Sequence, residues 1–205
     1  KLAPPVVILS TAYADAEYVC ARMQQFGLPY AHEHLSRLFQ SWLQLHQGFQ
    51  PLRFYGELVR HFSKQGRVCT LLQSDVLQAL MLNSALSMPR FIRFLREQGA
   101  KVILFSNSAK MAQASRGQLL DATVERSIWT AKGSFSKRAH LPRRKIGPLL
   151  RRMESLSGQD ELLEEFRAAG LGHFDLTLEE FCKDEDAKLK ELAAFLEIEP
   201  EAPSD

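Results

Sequence analysis

Two rhythms of apolar residues alternate along the chain. The run VVILS at 6–10 is uninterrupted, rich in β-branched residues and preceded by Pro4-Pro5, which reads as a strand buried on both faces of a parallel sheet. The following EYVCARMQQFG places apolar residues at helical spacing, with Asp15 as the expected N-cap and Gly27 as the stop. Helical patterns are predicted at 32–47 and 52–65, ended by Gly66. A second strand is expected at 67–72, helices at 75–83 and 89–98 closed by Gly99, and a third strand at 101–105. A long helical pattern covers 109–129, and 132–145 lacks a period and reads as a basic loop. Residues 149–169 are helical with a break expected near Ser157-Gly158, 172–177 form a fourth short strand, and 178–196 are mostly helix.

Strands separated by helices predict parallel βα units, hence a three-layer, P-loop-like α/β fold with a central, mostly parallel sheet flanked by helices. The expected organisation is one domain over 1–198 with a flexible tail at 199–205. In such sheets ligands sit beyond the carboxyl ends of the strands, so 10–16, 73–75 and 106–110 form the expected rim of the site.

Composition narrows the classes. The chain has 205 residues, 45% of them hydrophobic and 24% charged, which excludes collagen-like, coiled-coil and disordered chains. No apolar run approaches the length of a bilayer span, so no membrane span is expected. The charge balance is 26 basic against 24 acidic residues, a net +2, which does not mark a general nucleic-acid binder. The charge is unevenly placed, with Lys132, Lys137, Arg138, Arg143, Arg144 and Lys145 in a stretch without acids. Such asymmetry hints at an anionic ligand nearby, although a solvated basic loop explains it too. Only Phe135 is aromatic between Lys132 and Arg152, so nucleic acid is not the expected partner. Cys20, Cys69 and Cys182 form neither a disulfide framework nor a zinc motif, and reduced thiols in a cytoplasmic protein are the simplest expectation. The start at Lys1 is compatible with a piece cut from a longer protein.

Candidate chemistry starts at the first loop, Ser10-Thr-Ala-Tyr-Ala-Asp-Ala16. A strand–loop–helix opening is where phosphates bind, at free N–H groups and a positive dipole end. This loop has neither glycine nor lysine, and Asp15 opposes an anion, so a plain capped turn is the better reading of the residues alone. Glu33, between His32 and His34, is a candidate general base; the plainer reading is a polar first turn of a helix. His32 and His34 fall on different faces of that helix and predict no shared metal, and no other metal set is expected. Ser108 is the expected cap of the long helix and Lys110 a surface residue of its first turn. The stripe Trp42, Leu45, Phe49, Phe54 and Tyr55 could line a sugar groove but fits a core face. Asp175 is expected to accept hydrogen bonds from nearby backbone. No Walker lysine, serine–histidine–aspartate order or HExxH motif is present.

Taken together, VVILSTAYADAEYVCARMQQFG, LPYAHEHL, KVILFSNSAKMAQASRGQLLDATVERSIW and FDLTLEEFCKDEDAKLKELAAFLEI resemble successive segments of the bacterial trehalose and carbohydrate sulfotransferase family. The likeness includes a Gln-Ala pair at Gln113-Ala114 and a tryptophan at Trp129, and it spans nearly the whole chain. It implies transfer of a sulfo group from PAPS (3′-phosphoadenosine-5′-phosphosulfate) to the hydroxyl of a carbohydrate or other small acceptor. The family's loop reads roughly Pro-Arg-Ser-Gly-Ser-Thr, where this chain has Ala12, Tyr13, Ala14, Asp15, Ala16 and Glu17. The family's lysine after the second strand falls near Cys69, Thr70 and Leu71, and is also replaced. On this resemblance Glu33 is the catalytic base. Ser10, Thr11, Tyr13, Ser108, Ser115, Arg116, Arg143 and Arg144 are the cofactor-side candidates. With the loop residues replaced, the alternative is a catalytically inactive domain of the same fold, a binding or scaffolding module working with a protein partner or fused domains.

Overall fold

The computed structural model describes residues 4–29, 31–32, 50–62, 67–84, 86–117 and 146–199. Five parallel strands form one sheet in the order β2-β3-β1-β4-β5, with β1 Val6–Ser10, β2 Ala31–His32, β3 Cys69–Gln73, β4 Lys101–Ser106 and β5 His173–Thr177. The helices are α1 Ala16–Gln25, α2 Pro51–Phe62, α3 Ser74–Asn83, α4 Met88–Glu97, the helical residues 110–117 (α5), α6 Ile146–Ala168, α7 Leu178–Lys183 and α8 Glu185–Leu196.

Every residue of β1 is buried, because helices cover both faces of the sheet. The pleat sends Val7 and Leu9 into a cluster with Tyr55, Leu77, Phe91, Leu95, Leu163 and Phe166, from α2, α3, α4 and α6. It sends Val6 and Ile8 to the other side, against Val19, Met23, Phe181, Leu189 and Leu192 of α1, α7 and α8. The predicted three-layer α/β architecture is therefore the observed one. Among the described residues no helix is long and apolar enough to cross a membrane.

Three details differ from the sequence pattern. A fifth strand lies at Ala31–His32, overlapping the start of the stretch 32–47 read as helix; two residues are too few to show a strand period. The pattern at 149–169 is one unbroken helix, Ile146–Ala168. The Ser157 hydroxyl donates back to the Met153 carbonyl at 3.1 Å, and Leu156, Leu162, Leu163 and Phe166 tie the segments on either side to the core, so Ser157-Gly158 does not break it. Conversely, 178–196 divides at Asp184, whose φ of −155° leaves the helix and whose carboxylate caps Ala187 N–H at 3.0 Å.

Candidate functional site at the carboxyl end of the first strand

β1 lies between β3 and β4: the chain leaves β1 toward β2 and β3, then passes back over β1 to β4 and β5, so the strand order reverses at β1, and its carboxyl end is where such sheets bind ligands. The rim expected from the sequence is there: the loop 11–15, the β3–α3 junction and the turn after β4 all sit at the carboxyl ends of their strands. Thr11 N–H donates to Phe105 O at 3.3 Å and carries the ladder one residue past β1. The chain then turns through Tyr13 at φ 59° and Asp15 at φ 65°, both left-handed. For non-glycine residues that conformation costs about 1 kcal/mol or more each, so the surroundings must hold it.

They do so through two glutamines. Ala12 N–H donates to Gln159 Oε1 at 2.8 Å, and the Ser74 hydroxyl donates to the same oxygen at 2.9 Å. Gln113 Nε2 donates to Thr11 Oγ1 at 3.1 Å and to Ala12 O at 3.4 Å. All of these groups are buried. The Tyr13 ring lies under the Arg152 guanidinium, 5.7 Å from its centroid, and Arg152 Nη1 donates to the phenol oxygen at 3.3 Å. Gly117 makes room for this pair: a Cβ there would sit 2.5 Å from Arg152 Nη1 and 2.8 Å from Tyr13 Cε2.

Asp15 occupies the N-cap position of α1 as expected, but its side chain makes no cap hydrogen bond. It pairs instead with Arg116 on α5. Glu17 in the first turn accepts from Gln73 Nε2 at 3.2 Å. Burial pushes the Asp75 carboxyl above the usual carboxylate range, opposed by the Val76 N–H it accepts at 2.8 Å. This end of the sheet thus carries carboxylates from Asp15, Glu17 and Asp75, balanced at Asp15 by Arg116.

Of the residues singled out in the sequence, Thr11, Tyr13 and Arg116 meet in this loop. Ser10 and Ser115 are buried close by in sequence, and the Ser10 hydroxyl has no partner among the described residues. Ser108 does not cap the helix after β4. Its N–H and hydroxyl donate to Glu179 Oε1 at 3.0 and 2.5 Å, while Asn107 Oδ1 takes the Ala109 N–H at 2.8 Å. Burial alone would raise the Glu179 pKa, but the Ser108 donors outweigh it and hold that carboxyl below its ordinary value. Lys110 is no free surface residue: it pairs with Asp160 at 2.7 Å and ties α5 to α6. Asp175 binds side chains rather than backbone, accepting from Arg167 Nε at 2.8 Å and facing His173 Nε2 at 3.1 Å. Glu33, Arg143 and Arg144 lie outside the described residues.

Sequence reasoning missed Gln159 and the role of Arg152. Gln159 carried a readable signal: with Leu156, Leu163 and Phe166 it forms a 3-4-3 stripe at helical spacing, and a polar residue inside an apolar stripe is buried for a reason.

No protein-family model matches the chain, and no curated protein sequence matches it. A solved structure does: the sulfotransferase domain from the curacin biosynthetic pathway superposes with a TM-score of 0.51, covering 99% of this chain and 77% of that domain at 13% identity. The chain has a sulfotransferase-like fold. Within that fold, the loop after β1 is closed by amides and an ion pair of the protein itself, with both glutamines and Arg116 contributed by α5 and α6.

Proposed function

We propose that this chain is a sulfotransferase-fold protein without sulfo transfer at the loop after β1, serving as a binding or scaffolding module. The observation that carries this reading is the occupancy of the loop. Ala12 N–H is taken by Gln159 Oε1, and a carboxylate, Asp15, stands at the start of α1 with Arg116 drawn to it. Sulfo transfer develops negative charge on the leaving phosphate and on the sulfo oxygens, and a catalyst needs unspent donors aimed there. Loss of one such donor typically costs about 3 kcal/mol in barrier, and this loop also places two acids, Asp15 and Glu17, at the helix end.

A second reading is PAPS-dependent transfer to a carbohydrate-type hydroxyl, as the resemblance to the bacterial trehalose and carbohydrate sulfotransferases implies. Its support is the likeness of fold along 99% of the chain, together with Ser115 and Arg116 on the helix that flanks the loop. In that reading Arg116 leaves Asp15 for the nucleotide, Arg143 and Arg144 approach it from the basic stretch, and Glu33 takes the acceptor proton.

Isothermal titration with adenosine 3′,5′-bisphosphate, the desulfonated donor product, separates the two. No heat up to millimolar nucleotide, with the protein folded by circular dichroism, is the expected result. Micromolar binding that Arg116→Ala abolishes would overturn the non-catalytic reading in favour of the second.

A further inference from the structure

The near-neutral net charge of +2 conceals two faces of opposite sign. On one side of the sheet, α2 and α4 are neighbours held at close approach. Gly56 faces the Phe94 ring, with a hypothetical Cβ 3.8 Å from it, and the Tyr55 and Phe94 rings meet edge-on with centroids 5.9 Å apart. Their outward positions carry five arginines, Arg53, Arg60, Arg90, Arg93 and Arg96, against two acids, Glu57 and Glu97. Neither helix contains a lysine. On the opposite face, residues 178–199 hold eight acids and three lysines.

We infer that the α2–α4 face is an interaction surface for a protein partner that presents a row of carboxylates, such as an acidic helix. Three features select that chemistry. Guanidinium groups pair with carboxylates two bonds at a time, and their planar fork loses less freedom per hydrogen bond formed than an ammonium would. Among the described residues, none of the exposed large apolar side chains, Tyr18, Leu82, Met111, Ile146 and Leu150, belongs to α2 or α4, and the Phe54 and Phe94 rings are partly buried against the core, so the face offers little to insert into a bilayer or to stack on a base. Glu57, 3.0 Å from Arg60, and Glu97 interrupt the positive field, which penalises a continuous phosphate backbone but not a protein surface of mixed charge. Arg96 marks the border, where Nη2 donates to Ala169 O at the end of α6, 3.0 Å away. The surface lies on a helical layer rather than at the strand ends, so it stands whichever reading of the loop is right.

The test is fluorescence anisotropy of labelled poly-L-glutamate with the full chain at low and at moderate salt. Binding is expected, weakening as salt rises. Arg53→Glu/Arg93→Glu is expected to weaken it by about tenfold or more, while Arg143→Glu/Arg144→Glu costs less than about threefold. Arg53→Ala/Arg93→Ala, which introduces no like-charge pair with Glu97, is expected to weaken it in the same direction with an unchanged melting temperature. Duplex DNA and anionic vesicles are expected to bind more weakly than the polypeptide. The inference is overturned by absence of polyglutamate binding, by equal loss in the Arg143/Arg144 variant, or by tighter binding of duplex or vesicle through Arg53 and Arg93.

Discussion

Two strand-to-helix turns stand at the same end of the sheet and are closed in opposite ways. After β5, Thr177 Oγ1 accepts from Glu180 N–H at 3.2 Å and Glu180 Oε2 accepts from Thr177 N–H at 3.3 Å, a reciprocal cap completed within four residues. After β1, the turn through Tyr13 and Asp15 lacks a side-chain cap, and its hydrogen bonds reach Gln113 and Gln159, 102 and 147 positions away. The first turn is satisfied by its own sequence. The second keeps its left-handed residues only while α5 and α6 are packed beside it. In a ligand-binding loop of this kind the partner for the backbone comes from outside; here the Ala12 N–H finds its partner in the protein's own Gln159.

The sharpest way to break this contrast is Gln159→Leu. Leucine continues the stripe of Leu156, Leu163 and Phe166, but leaves Ala12 N–H and the Ser74 hydroxyl buried without their acceptor. The expected loss is about 3 kcal/mol, which for a chain of this size lowers the melting temperature by roughly 6–12 °C. A loss below about 1 kcal/mol would mean the loop holds itself, as the β5 turn does. The next effect comes from Gly117→Ala. Alanine favours a helix by about 1 kcal/mol, but its methyl group would meet the Arg152 guanidinium and the Tyr13 ring at 2.5 and 2.8 Å. Arg152 can swing aside and the ring cannot without moving the loop, so a net destabilisation of about 1–2 kcal/mol is expected by thermal melting. A neutral or stabilising result would show that the stack yields freely.

The same contrast explains what the sequence could reveal. β1, β3, β4 and β5 announced themselves because they are buried on both faces or bounded by glycine, and the α/β class followed from their alternation with helices. Gly27 and Gly99 end helices with φ of 85° and 63°, as their positions suggested. The rim was also legible, since strand ends locate it. What escaped depends on partners distant in sequence. Asp15 has the residue type of a cap and the position of one, but Arg116 claims its carboxylate; Ser108 likewise stands where a cap would and serves Glu179 instead. Gln159 escaped because Ser157-Gly158 suggested an end to the helix that tertiary packing overrides.

Smaller effects belong to the locally closed turn. Thr177→Ala removes one half of the reciprocal cap and is expected to cost about 1 kcal/mol, seen as a shift of roughly 2–4 °C in melting temperature. Glu179 gives the same turn a pH dependence. Its carboxyl is held below its ordinary pKa by the Ser108 donors, so it binds fewer protons in the folded than in the unfolded chain. Its contribution to stability is therefore complete above the ordinary glutamate pKa, about 4.3, and is lost as the pH falls through the depressed value. Glu179→Gln keeps an acceptor for Ser108 but cannot titrate, so its melting temperature should fall less steeply with acid than that of the parent protein. Acid limbs of equal slope would show that the Ser108–Glu179 link between the β4 and β5 turns adds nothing to their stability, leaving the reciprocal Thr177–Glu180 cap to hold the β5 turn alone.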